Sequence, residues 1–465
     1  MKSSGSTNRR RQFLTRSVQA ITGCSINGAL SALIAGPPNP KSQSTETLPL
    51  LLTADQTTGL QLLALPAGFR YRSFAWTGDR LSSGEQSSAQ HDGMAVIATD
   101  GPRLVLCRNQ EVKTDCGAQP DGSLYYDRRA QGGCTNLSFD TETGAWLDSW
   151  TSLAGTAKNC AGGPTPWKTW LSCEETILGP GLTSTDTNRV VNFTKTHGWI
   201  FEVAASGRSP AVPLKDMGRF VHEAVAVDPD SGWVYETEDT SQAGFYRFQP
   251  RTAGKLGDGG RLQMLKVAGV SDLRSRQAMG KTYDTQWVDI DNPQLDGVAD
   301  SEIEQGVFKQ GADQGGSAFT RLEGCWYTQG HIYIASTDGG DAKFGQIWRY
   351  TPAEEKLQLL FESPGIEVLD RPDNITMSPR GSLVLCEDGT RAPQKLQILD
   401  ASGRLRVLAE NHVQLSGERN GFCGDFRAEE WTGVCFSPDG QWMFANIQTP
   451  GMTFAITGPW DELGI

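Results

Sequence analysis

Acidic side chains recur in this chain at the borders of short apolar runs, and one cysteine, Cys160, sits among them in Asn159-Cys160-Ala161-Gly162-Gly163. The acids are Asp92, Glu111, Glu174, Glu175, Glu223, Glu238, Asp239, Glu323, Asp373, Glu387, Asp388 and Glu430. Gathered on one surface, so many like charges must raise each other's pKa or recruit cations. Hard oxygen donors in that number suit Ca²⁺, with backbone carbonyls at glycine-rich strand starts as further ligands. A thiolate adds one soft donor and favours a transition metal beside the calcium. Taken singly, each acid reads as well as a solvated turn residue, and Cys160 as a small buried hydrophobe. The set says more than its members. Arg321, two residues before Glu323, shares that acid's strand face. Its fork suits the equatorial oxygens of a phosphate, and equally a salt bridge to a neighbouring carboxylate. Arg371, in Asp370-Arg371-Pro372-Asp373, has the same two readings, the salt bridge being favoured. Other catalytic patterns are poor. There are five His residues and no His-x-x-His, Gly-x-Ser-x-Gly or phosphate-loop run.

These residues need elements to position them. Period-2 apolar patterning dominates, and helical periodicity is nearly absent after the N-terminus. One hairpin grammar recurs, clearest at Val227–Glu238, Met377–Glu387 and Phe436–Asn446: a strand, a glycine turn, an apolar strand, then a polar residue. Counting six residues on from Gly232, Gly381 and Gly440 reaches Glu238, Glu387 and Asn446. Looser copies end at Asn109, Glu174 and Asp338. Six hairpins with irregular spacing predict an all-β fold, a six-bladed β-propeller with insertions. A β-sandwich with glycine turns would leave the repeated turn-to-acid spacing unexplained. The first strands open at His91-Asp92-Gly93, Asn159-Cys160, His222-Glu223-Ala224, Glu323-Gly324, Asp373-Asn374 and Glu430-Trp431-Thr432-Gly433. The start of one hairpin strand and the end of its partner lie at the same end of a sheet. Both rows of polar residues are therefore expected to meet at one face of the propeller.

The first forty residues carry Lys2, Arg9, Arg10, Arg11 and Arg16 with no acid. Asn8-Arg9-Arg10-Arg11-Gln12-Phe13-Leu14 and the weakly apolar stretch behind it have the form of a twin-arginine export signal. The expectation is a signal over residues 1–40, one propeller domain over 41–465, and a periplasmic or secreted protein handled by the twin-arginine machinery. Ile21-Thr22-Gly23-Cys24 also has the form of a lipid-attachment box, which leaves an anchor at Cys24 open. The formal net charge of −12 falls to about −17 without the signal. Such a surface repels nucleic acid and anionic lipid, and it meets an anionic substrate only where bound cations reverse the local field. A monomer acting on small molecules is expected. Of the ten cysteines, Cys423 with Cys435 and Cys107 with Cys116 are the candidate pairs.

In order, His91-Asp92-Gly93-Met94, Arg108-Asn109-Gln110-Glu111, Gly132-Gly133-Cys134-Thr135-Asn136, Asn159–Gly163, Cys173-Glu174-Glu175, Gly218–Ala224 and Asn446–Gly451 resemble the PhoX-type alkaline phosphatase family. The resemblance runs from Leu65 to Trp460. It implies a six-bladed propeller with a mixed ferric and calcium cluster, Fe³⁺ and Ca²⁺, on its axis. It implies hydrolysis of phosphomonoesters, and some phosphodiesters, at alkaline pH. Cys160 would then bind iron, with Glu223 and Glu323 as iron or bridging ligands and Glu174 or Glu175 on calcium. Asp92, Glu238, Asp239, Asp373 and Glu387 would complete the ligands, Arg321 would clamp the phosphate and Asn109 would contact substrate. Gln110 stands where the family often has His, and Cys134 where it often has Thr. The alternatives are a calcium-dependent propeller lactonase or phosphotriesterase, and a non-catalytic binding propeller stabilised by calcium. A calcium-only site needs neither Cys160 nor Arg321.

Overall fold

The computed structural model describes residues 46–112, 124–184, 189–295 and 306–465; the segment read as an export signal, Cys24 and Cys116 lie outside them. The six hairpins become six antiparallel sheets. Blade 1 is His91–Asp100, Arg103–Gln110, Gly132–Asp140 and Ala145–Thr156. Blade 2 is Asn159–Pro164, Thr169–Glu174 and Ile200–Ala204. Blade 3 is His222–Val227, Val234–Glu238, Phe245–Pro250 and Gly260–Val267. Blade 4 is Leu322–Thr328, His331–Ser336, Gln346–Thr351 and Lys356–Glu362. Blade 5 is Pro372–Met377, Leu383–Glu387, Lys395–Leu399 and Leu405–Asn411. Blade 6 is Trp431–Phe436, Met443–Ile447 and Met452–Thr457, completed by Arg70–Phe74 from early in the chain.

The first strand of each blade is innermost. It lies against the first strand of the next blade, and that of blade 6 lies against that of blade 1, so the ring closes. An inserted strand, Thr282–Asp289, pairs with the outer strands of blades 3 and 4 and welds the two sheets. Before closing blade 6, the early chain also adds Leu50–Ala54 and Gln61–Pro66 to the outside of blade 5.

Each blade is covered on both faces, which is why runs such as Leu383-Val384-Leu385-Cys386 are buried throughout. Between blades 6 and 1, Phe139 meets Trp442 and Phe444 edge-on at 4.8 and 5.1 Å. Between blades 3 and 4, Tyr235, Phe245, Trp287 and Tyr350 form one aromatic cluster. Rings of this size each stabilise by about 1.5–3 kcal/mol when buried. The expected pairing of Cys423 with Cys435 is not formed: Cys423 is exposed, Cys435 is in the core, and both are free thiols.

Candidate metal centre

One hydrogen bond recurs in all six blades. The residue just past the second strand donates its N–H to the carbonyl of the residue just before the inner strand. The pairs are Glu111 to Gln90, Glu175 to Lys158, Asp239 to Val221, Thr337 to Arg321, Asp388 to Arg371 and Gln448 to Glu430, at 2.9–3.2 Å. Immediately inside it the pairing slips, again in every blade. Asp92-Gly93 faces the single residue Asn109, and Cys160-Ala161, Glu223-Ala224, Glu323-Gly324 and Asp373-Asn374 are bulged likewise. A bulge kinks its strand and re-aims the side chain it carries. After four of the five ligands the next residue is glycine or alanine, because neighbouring inner strands nearly touch there; the fifth, Asn374, accepts at its Oδ1 from Gly433 N–H of blade 6. A Cβ on Gly93 would lie 2.5 Å from Ala161 Cα, and one on Gly324 2.4 Å from the Asp373 carbonyl oxygen.

Five bulges thus present Asp92, Cys160, Glu223, Glu323 and Asp373, and the recurring hydrogen bond sets Glu111, Glu175 and Asp388 beside them. Ligand atoms of Asp92, Glu111 and Cys160 lie within 4.8 Å of one another. The same holds for Cys160, Glu175 and Glu223, for Glu223, Glu323 and Asp373, and for Asp373, Asp388 and Glu430. Each group shares a member with the next, so nine residues drawn from all six blades form one continuous cluster. Blade 6 offers Thr432 and Gln448 at the equivalent seats and contributes Glu430 from the position before its strand. Gln448 Nε2 donates to Asp92 Oδ2 at 3.1 Å and Glu111 Oε2 at 2.7 Å.

Electrostatics make this cluster a cation trap. Burial, then Glu111 and Asp373, push Asp92 well above the usual carboxylate range. Burial and neighbouring acids do the same to Glu223, Glu323 and Glu430. The Cys160 thiol is raised by burial and then by Asp92 and Glu223. It donates to Glu223 Oε1 at 3.0 Å, while Glu223 Oε2 is buried with no hydrogen-bond partner. An orphaned buried carboxylate oxygen is costly, and ions of charge two or three would satisfy it and lower all these pKa values together. The donor set fits such ions. Two basic residues border it. Arg321 holds Asp239 at 3.0 Å and Glu323 at 2.5 Å, and Lys158 holds Glu175 at 3.0 Å. Asp239 nonetheless rises to about 6, since burial outweighs the pull of Arg321.

Four of the sequence-predicted site residues are set apart from the cluster. Glu174, Glu238 and Glu387 each end a second strand, one residue short of the seat that faces it, and a single step along a strand turns a side chain to the opposite face. Glu174 accepts from the N–H groups of Ala157, Gly198 and Trp199 and from His197 Nδ1 at 2.6 Å. Burial would lower His197, yet Glu174 and Asp127 hold it up to about 9. Glu238 accepts from Gly244 N–H and the Tyr246 hydroxyl, and Glu387 from Asp370 N–H and Gln397. Asn109, expected to touch substrate, is 0% exposed. Its Nδ2 donates to the carbonyls of Cys160 and Ala161, and its Oδ1 accepts from Trp170, Ser172 and Cys134. It is a positioning residue that braces the bulge of the next blade, as Asn446 braces Asp92 and Thr237 braces Glu323. Glu174→Gln is therefore expected to cost about 3 kcal/mol of stability in denaturant unfolding, as removal of a buried ion-pair partner does. The metal content of the folded variant should match wild type; loss of metal at unchanged stability would make Glu174 a ligand after all.

Sequence reasoning passed over two residues that touch the acids, Gln448 and the cation Lys158. The signal for Lys158 was available: it precedes Asn159-Cys160 as Arg321 precedes Leu322-Glu323.

The family model of the alkaline phosphatase PhoX matches residues 49–149 and 146–451. None of the curated proteins matches the chain. Among solved structures, Pseudomonas fluorescens PhoX in complex with vanadate, a transition state analogue, superposes with a TM-score of 0.64 at 18% identity, covering 90% of this chain and 98% of its own. A gluconolactonase from Xanthomonas campestris reaches a TM-score of 0.37 at 13% identity, covering 91% of this chain and 98% of its own. The WD40 propeller domain of Doa1 reaches 0.39 at 12% identity, covering 85% and 99%. The family match spans nearly every strand of the six blades, and by it the chain belongs to the PhoX alkaline phosphatase family and is a phosphoric ester hydrolase.

Proposed function

We propose that the chain is an exported alkaline phosphatase that hydrolyses phosphomonoesters, with some phosphodiester turnover, using iron and calcium held on the propeller axis. Cys160 carries this reading, because its sulfur belongs to two adjoining groups of acids at once. A thiolate flanked by Asp92, Glu111, Glu175 and Glu223 would hold iron, for which a soft donor among carboxylates is suited. The groups built from Glu323, Asp373, Asp388 and Glu430 with Glu223 offer only oxygen and suit Ca²⁺. When bound, these ions supply Lewis acidity, drawing charge from the phosphate oxygens.

The chain's own residues do the rest. Arg321, ion-paired at the mouth, presents its fork to the equatorial oxygens on which charge collects during in-line displacement. Cys160 is a ligand here and not an attacking group. The bulges and their braces, Asn109 among them, fix the ligands before any ion arrives, so little reorganisation remains to be done on binding. Metal uptake requires the acids and the thiol to shed protons that burial makes them hold, so loading is favoured as pH rises. The twin-arginine pattern near the N-terminus supports export to the periplasm or beyond.

The test is turnover of p-nitrophenyl phosphate at pH 8–10 by purified protein of measured metal content. Chelation with EDTA is expected to abolish turnover and added metal to restore it, with vanadate inhibiting the loaded protein. Undiminished turnover by metal-free protein would overturn the proposal.

A further inference from the structure

Lys158 holds in blade 2 the place that Arg321 holds in blade 4. Each stands one residue before its inner strand, and each accepts at its carbonyl the N–H of the residue just past the second strand. Each also has a left-handed backbone, with φ of 50° for Lys158 and 40° for Arg321. Gln90 and Arg371 have the same conformation at this register position in blades 1 and 5, with φ of 52° and 57°, so the turn belongs to the fold, and it is the side chains it carries that distinguish the blades. Lys158 Nζ lies 3.0 Å from Glu175 and 3.9 Å from Glu111, spanning the two groups that share Cys160. Arg321 lies against Glu323, in the group that Glu223 and Asp373 complete. Blades 2 and 4 are two steps apart in a ring of six, so the two cations flank the acids from different sides. Their side chains are 20% and 30% exposed, above acids that are almost wholly buried. They are the layer that an entering molecule meets.

We infer that Lys158 is a second substrate-contacting cation, which with Arg321 selects doubly charged phosphate monoesters over singly charged diesters; the inference rests on the phosphatase reading. Ions of charge two or three compete with the ammonium for Glu111 and Glu175 and prevail by charge. The ammonium head then keeps its three donors at the mouth, where an anion replaces the lost carboxylates. A monoester dianion offers one more charge and one more unsubstituted oxygen than a diester. A second cation therefore adds more to the binding of the monoester.

Lys158→Met and Lys158→Arg separate this role from that of a counter-charge for Glu175. Metal-loaded Lys158→Met is expected to bind inorganic phosphate about 10-fold more weakly in calorimetry, with unchanged metal content. Its kcat/KM ratio for p-nitrophenyl phosphate over bis(p-nitrophenyl) phosphate should fall by about the same factor, mainly through KM. Lys158→Arg should keep most of both. Phosphate affinity and ester ratio equal to wild type in Lys158→Met would overturn the inference, as would a change in metal content without a change in phosphate affinity. Metal-loaded wild-type protein that binds no phosphate would instead overturn the phosphatase reading, and the inference with it.

Discussion

Replacing Cys160 by alanine is expected to abolish p-nitrophenyl phosphate turnover, by about 10³-fold or more, and to strip the transition metal from a protein that still folds. Its sulfur is the one atom that belongs to both the Asp92–Glu111 and the Glu175–Glu223 groups, so its loss opens two neighbouring positions at once. The fold should survive because alanine keeps the Cβ and leaves the main chain as it was. The bracing hydrogen bonds from Asn109 run to the carbonyls of residues 160 and 161, not to the sulfur. Cys160→Ser separates shape from softness: it preserves volume but offers a hard donor, and should retain calcium while losing iron. Elemental analysis, circular dichroism and turnover on the same preparations provide the check. A Cys160→Ala variant with wild-type turnover would leave the mixed-metal reading without support.

The second large effect is one of stability. Stripped of metal, the protein should become less stable as pH rises, opposite to the trend of proteins whose carboxylates are paired in the native state. Asp239 is raised from 3.8 to about 6 and Glu387 from 4.5 to about 7, in both cases chiefly by burial. Asp92, Glu223, Glu323, Asp373 and Glu430 are raised as well. Between the unfolded and folded pKa of each group the native state holds protons that the unfolded chain has released. Stability therefore declines from about pH 4 through about pH 7 and remains low above. Metal ions take the place of the protons held within the cluster, so the loaded protein should keep only the smaller decline that Glu387, outside the cluster, contributes. The gap in melting temperature between loaded and stripped protein should widen to on the order of 10 °C or more by pH 8. Equal melting temperatures for stripped protein at pH 5 and pH 8 would contradict it.

Much of this architecture was legible in the residue order. The six hairpins were visible from period-2 runs and glycine turns, because a blade buried on both faces leaves an unmistakable apolar strand. The acids Asp92, Glu223, Glu323 and Asp373, and Cys160 with them, were visible because each sits second in the first strand of its hairpin. The far ends of the hairpins were less legible. Counting from the turn glycine lands on Glu238 and Glu387, which end their strands, while Asp239 and Asp388 are the residues that turn to the mouth. The bulges that settle this register involve two residues facing one, a three-dimensional fact with no composition of its own. Asn109 misled for a related reason. A polar residue opposite a bulge can face the axis or reach sideways to the adjoining blade, and only the packed ring shows that it reaches sideways.

The docking of Arg70–Phe74 onto Met452–Thr457 has a consequence for biosynthesis. The circle exists only after almost the entire polypeptide has left the ribosome, since the early strand has no place to bind until the late one emerges. Glu430 cannot join Asp373 and Asp388 before that moment. A prematurely terminated chain would therefore expose unneutralised acids and an open sheet edge, while ion uptake becomes a mark of completed translation.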